Sequence, residues 1–242
     1  MATIRIGGVQ MAVGPAKKDN LPKILAAIQE GGCDILVFPE MALTGHNDAF
    51  GDVPTLEAWD KIAAACRHHY VTAIVGTGSR AEGKVYNQAR IFSDHGEAIG
   101  TQEKLIPTED ERKWCVPGGK LATFTRAGLS FGCLVGNDLW VAPGFGPYPD
   151  PRLSHQLAAK GVDLLFHIND SGTDLAYAEY YLSNLRLRAR EAKVPIVSVN
   201  AAQPGEALNV ASGIMSASGE WLVTAPLTGE QRFRYDLDIV ID

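Results

Sequence analysis

The run DILVF (Asp34–Phe38) is short, continuously apolar after its aspartate, and bounded by GGC on one side and PE on the other. A strand with one wet face alternates polar and apolar positions, so an unbroken apolar run of this length reads as a strand covered on both faces. A second run, VDLLFHIN (162–169), follows AAKG as the first follows EGG. Both segments pass from a helix end through glycine and aspartate into a buried strand. Such strands need a layer above and a layer below. The echo therefore predicts two similar layered halves whose strand ends converge on one site.

The remaining periodicities fill in those layers. NLPKILAAIQEGG sets Leu21, Ile24, Leu25 and Ile28 on one helical face and closes on glycines. TLEAWDKIAAACRHHY repeats the pattern through Leu56, Trp59, Ile62 and Cys66. TIRIGGVQMAV, VTAIVGTG and PIVSVNA read as strands; VYNQARIFSD turns at HGE into AIGTQEKL, and LATFTRAGLSFGCLVG reads as a hairpin. PRLSHQLAAKG and TDLAYAEYYLSNLRLRAREAK are helical, and the tail from Ser212 is strand, turn at ASGE, strand and a final strand. With 242 residues, 46% of them hydrophobic, and no linker or short repeat, a single α/β domain over 1–242 is expected.

Charge and cysteine usage exclude several classes. With 22 basic against 28 acidic side chains the net charge is −6, which argues against a phosphate-backbone binder, so no nucleic-acid partner is expected. No apolar run approaches the ~20 residues a membrane span needs. MATIRIGGVQ lacks the pattern of a secretory signal, and the four cysteines (Cys33, Cys66, Cys115, Cys133) show no CxxC pair. Reduced thiols in a soluble cytoplasmic protein are expected. His68 and His69 are adjacent and cannot share a helical face, GGVQMAVG lacks a dinucleotide fingerprint, and LRLRAREAK reads as a salt-bridged helix face. Neither a metal nor a cofactor is predicted.

Chemistry concentrates at three places. Glu40, in VFPE, lies just past a fully buried strand, where partial desolvation raises a carboxyl toward values useful to a general base. Lys104 ends a strand and enters a proline-bounded loop, a setting in which an ammonium can support a developing oxyanion. At LVGND, an apolar strand meets Gly136, Asn137 and Asp138, residues suited to a tight turn. Taken singly, each has an ordinary reading as a surface charge or a turn.

In this order the three places resemble the carbon-nitrogen hydrolase (nitrilase) superfamily, and the likeness runs over essentially the whole chain. DILVFPEMALTGH is similar to the segment carrying that family's general-base glutamate, which maps onto Glu40. EKLIPTEDERKWCVPGG resembles the lysine segment, putting the catalytic lysine at Lys104 and the substrate-orienting glutamate at Glu111, with Glu109 the weaker choice. RAREAKVPIVSVNA matches through Arg188, Glu191 and Asn200, and ASGIMSASGEW resembles the closing hairpin. The resemblance implies a four-layer α-β-β-α sandwich, a homodimer or higher homo-oligomer, no metal, and hydrolysis of small non-peptide amides, nitriles or carbamoyl compounds by a cysteine thiolate aided by glutamate and lysine. Trp140 and Tyr148, in DLWVAPGFGPYPDPR, are expected as pocket walls, with Asn137 beside them.

The match breaks at the nucleophile. Measured from Gly132 and Asp138, the family's cysteine position is Gly136. Cys133 lies three residues back along the strand, on the opposite face and roughly 10 Å away at ~3.3 Å per residue; an attacking sulfur must approach to ~3–3.5 Å. Asn137 offers only an amide, and Cys115 is expected to fill a loop or core. Three readings follow: a replaced nucleophile, a natural pseudoenzyme that keeps its pocket for a small molecule or partner, or a water activated by Glu40. The last ranks lowest, because losing a nucleophile from a coupled catalytic unit costs on the order of 10⁶ in turnover.

Overall fold

A computed structural model describes residues 2–141, 150 and 152–239. Two six-stranded sheets dominate it. The first contains β1 (Ala2–Gln10), β2 (Ile35–Val37), β3 (Thr72–Ala81), β4 (Lys84–Phe92), β5 (Ala98–Glu103) and the last strand, β12 (Gln231–Ile239). The second contains β6 (Thr123–Arg126), β7 (Leu129–Val135), β8 (Leu164–Asn169), β9 (Ile196–Asn200), β10 (Gly213–Met215) and β11 (Trp221–Thr224). Their strand orders are β12-β1-β2-β3-β4-β5 and β11-β10-β9-β8-β7-β6. In each sheet three strands run parallel (β1, β2, β3 and β7, β8, β9) and the flanking strands are antiparallel.

Helices α1 (Lys17–Glu30) and α2 (Asp52–His69) cover the first sheet; after the four-residue α3 (Asn137–Trp140), α4 (Leu153–Ala158) and α5 (Ala178–Ala192) cover the second. The central core lies between the sheets, where Ile6, Val37 and Ile74 meet Phe131, Cys133, Val135, Phe166 and Val199. This is the four-layer α-β-β-α sandwich, and it explains the unbroken apolar runs. Val37 faces the opposite sheet while Leu36 and Phe38 face α1 and α2, so no position along β2 meets water.

The internal echo is visible atom by atom. Asp34 accepts from the Arg5 amide at 2.8 Å, and its own N–H donates to the Arg5 carbonyl at 2.7 Å. Asp163 makes the same pair with Ser130, at 2.8 and 2.7 Å. Each aspartate locks the start of its buried strand to the neighbouring parallel strand.

Two local expectations are corrected. Leu56 is exposed rather than inward-facing, because α2 starts at Asp52 and turns Thr55, Ala58, Ile62 and Cys66 toward the sheet. Arg188 does form the salt bridge expected of its helix, but on a buried face. It pairs with Glu191 at 2.8 Å and donates to the carbonyls of Leu139 and Val141, tying α5 to α3 and the residue that follows it.

Candidate active site

Strand ends deliver the site. The chain leaves β2 through Pro39 to Glu40, leaves β5 at Lys104, and leaves β7 at Gly136, which caps α3 with φ 46° and ψ −111°. A side chain at such a φ is strained, so glycine suits this turn sterically. Glu40 and Lys104 are almost fully buried, and Glu111 nearly so. Lys104 Nζ lies 2.7 Å from Glu40 Oε1 and 2.7 and 2.6 Å from the two oxygens of Glu111. Asn87, on β4, donates through one nitrogen to both carboxylates, at 2.7 Å to Glu40 and 3.1 Å to Glu111. The Thr108 amide donates to Glu111 at 2.8 Å, while Glu109 faces solvent.

One ammonium between two buried carboxylates separates their protonation. Burial raises the Glu40 carboxyl, with Lys104 opposing and Glu111 reinforcing the rise. Burial works to raise Glu111 too, but the charge and hydrogen bonds of Lys104, with the Thr108 amide, hold it below the usual carboxylate range. Burial works against the Lys104 charge, and both carboxylates override it and raise its pKa. Of the two carboxyls, Glu40 is thus the one shifted up and Glu111 the one shifted down.

Asp138 sets the geometry between segments. Its carboxylate accepts from the amides of Leu105 and Ile106, just after Lys104, and from the amide of Val135, just before Gly136. Burial pushes its pKa up to about 7 against the pull of Lys104 and these amides. On the far side of the turn, His167 is driven by burial down to about 3 and is neutral. Its Nε2–H donates to the Gly136 carbonyl at 2.9 Å, while Nδ1 lies 3.0 Å from the Ser198 hydroxyl. The backbone at residue 136 is thus held from both ends.

Glu40, Lys104, Glu111, Gly136, Asn137 and Trp140 line one cavity of about 310 Å³. The Asn137 amide is partly committed, donating to the Ile106 carbonyl at 3.1 Å. Tyr148 lies outside the described residues. Cys115 packs with Phe50, Val85 and Trp114, and burial pushes its pKa up to about 12; Cys133 is sealed in the inter-sheet core. Neither lines the cavity.

The geometry adds residues that sequence reasoning missed: Asn87, His46, Asn169, Asp170 and Tyr181. His46 Nε2 pairs with Asp170 at 3.1 Å, and this partner raises its pKa although burial works to lower it. Among the described residues, Glu40, His46 and Glu111 bring potential metal-ligand atoms within 4.8 Å of one another. The Lys104 ammonium already bridges the two carboxylates there. Asn169 had a signal in the sequence: in the internal echo, Asp34 leads to Glu40 over the same interval as Asp163 leads to Asn169.

The carbon-nitrogen hydrolase family model matches residues 5–238. The chain is 28% identical to a glutamine-dependent NAD(+) synthetase of Xylella fastidiosa, over 90% of this chain and 43% of that protein. To the synthetase of Thermotoga maritima it is 27% identical, over 91% and 39% respectively. It thus spans less than half the length of these relatives. Omega-amidase NIT2 of Mus musculus is 24% identical, over 99% of this chain and 90% of that protein. Among solved structures, an amidase from Nesterenkonia sp. bound to butyramide aligns with TM-score 0.83 at 18% identity, covering 97% of this chain and 90% of that one. At that identity the likeness is one of fold.

Proposed function

Because the chain belongs to the carbon-nitrogen hydrolase family, we propose that its cavity takes a small non-peptide amide, nitrile or carbamoyl compound, with the scissile carbon over Gly136. Glu40 is the general base, Lys104 supports charge developing on the carbonyl oxygen, and Glu111 holds Lys104 and orients the substrate. The observation that carries this reading is the convergence of one ammonium and two buried carboxylates on a strand-to-helix turn inside a single cavity. With a thiol at position 136, sulfur would attack the carbon, its proton would pass to Glu40, and the carbonyl electron pair would collect beside Lys104. Collapse would expel the amine with the proton from Glu40, and water would release the acyl group by the reverse sequence.

Glycine withholds the sulfur, so the chain as it stands binds without forming an acyl-enzyme. One observation favours a pocket adapted to this state. A Cβ at residue 136 would lie 2.3 Å from Glu40 Oε2, so the carboxyl already occupies the space such a side chain needs. That also disfavours a nucleophilic water at the same spot. The names of the relatives, amidase and glutamine-dependent synthetase, support an amide over a nitrile; a soluble homodimer remains part of the proposal.

The test is intact-mass spectrometry of the Gly136 chain and Gly136→Cys after exposure to fluoroacetamide or acrylamide. A single adduct is expected on the cysteine form alone, because the four natural cysteines are buried. A folded Gly136→Cys protein that takes no adduct and hydrolyses no amide across a broad panel would overturn the assignment.

A further inference from the structure

Resting on that reading of the cavity, we infer that Asn169 selects the ligand, donating from its Nδ2 to an acceptor oxygen on the substituent of the bound amide. Asn169 ends β8, one step beyond the paired residues Val135 and Ile168, so it stands beside Gly136 on the same face of the sheet. It is buried, and it lines the cavity.

Its orientation is determined by its neighbour. The indole of Trp140 can only donate, and its Nε1 lies 3.3 Å from Asn169 Oδ1. That contact assigns the oxygen to Trp140 and turns the amide nitrogen away from it. The nitrogen then meets no partner within the protein. An unsatisfied buried donor is costly, and a site that keeps one is built to favour a ligand that satisfies it over one that does not.

Several other polar groups around the cavity already have partners. Lys104 is held between Glu40 and Glu111, His46 pairs with Asp170, and the Ser171 hydroxyl donates to Asn209. Among the described lining residues, Asn169 Nδ2 is the fully buried side-chain donor without a partner. The carbonyl oxygen is assigned to Lys104 in the reading above, which leaves the substituent as the part of the ligand that Asn169 meets.

Butyramide and 2-methoxyacetamide form a matched pair, since an ether oxygen in the second replaces a methylene in the first. Calorimetric titration of the unsubstituted chain is expected to show 2-methoxyacetamide binding about tenfold more tightly. Asn169→Leu should erase that ratio while butyramide binding persists. Trp140→Phe, which frees the amide to rotate, should shrink the ratio and serves as a second variant if Asn169→Leu folds poorly. A ratio unchanged in a folded Asn169→Leu protein overturns the role of Asn169 and leaves the cavity assignment standing. Failure of the unsubstituted chain to bind either amide overturns both.

Discussion

Placing a methyl group at residue 136 tests the contact on which the site turns. The added Cβ would lie 2.3 Å from Glu40 Oε2 and 2.9 Å from both Cδ and Oε1, well inside van der Waals contact. Glu40 must then withdraw by about 1 Å. It is held in place at 2.7 Å by Lys104 and at 2.7 Å by Asn87. Two costs follow for Gly136→Ala. Backbone strain at φ 46° contributes about 1–3 kcal/mol, and loss of a hydrogen bond to a charged group contributes about 1.5–3 kcal/mol. The total is about 3–6 kcal/mol where Glu40 is present. In a Glu40→Ala background only the strain remains, so the double-mutant cycle should give a coupling of about 1.5–3 kcal/mol. Urea unfolding of the four proteins at one pH, with slopes compared, supplies the numbers. A Gly136→Ala protein as stable as the unsubstituted chain, or a coupling near zero, would show that the carboxyl does not occupy that space.

Two further outcomes follow from the buried network. The Asp138 carboxyl, raised from 3.8 to about 7 in the folded chain, retains a proton that the unfolded chain releases. Its stabilising contribution is therefore present below about pH 4 and is lost as pH rises toward 7, a swing on the order of 4 kcal/mol. Asp138→Asn should flatten the fall of urea midpoint between pH 4.5 and 7.5, and should cost about 1–3 kcal/mol by leaving a backbone amide such as that of Val135 unpaired; equal slopes for the two proteins would refute the assignment. Arg188→Met strands Glu191 and two backbone carbonyls. A loss of about 3–5 kcal/mol is expected, read by thermal unfolding, with a change below about 1 kcal/mol counting against a structural role for the arginine.

Much of the site was legible because its residues fall at strand ends. An apolar run followed by Pro39 and Glu40, and a strand followed by Lys104, are local signals that need no knowledge of packing. His46 and Asn87 carried no such mark. His46 sits in a loop that brings it to Asp170 at the other half of the molecule, and Asn87 is the interior of an ordinary strand. The inward stripe of α2 was misjudged at Leu56 for a related reason: the period was correct, but the starting residue of the helix sets which side faces the sheet.

The amino-acid sequence by itself determined the layered α/β plan, the two parallel cores and the absence of a side chain at position 136. Those features follow from hydrophobic period and residue identity, which act over a few neighbouring positions. Only the tertiary structure decided that Glu40 fills the space beside Gly136, that Asn87 and Lys104 join residues as far as 64 positions apart, and that Asn169 is left with an unpaired donor. Such contacts depend on how two sheets pack and where their loops return, and hydrogen-bond geometry there varies over tenths of an ångström that no local pattern specifies.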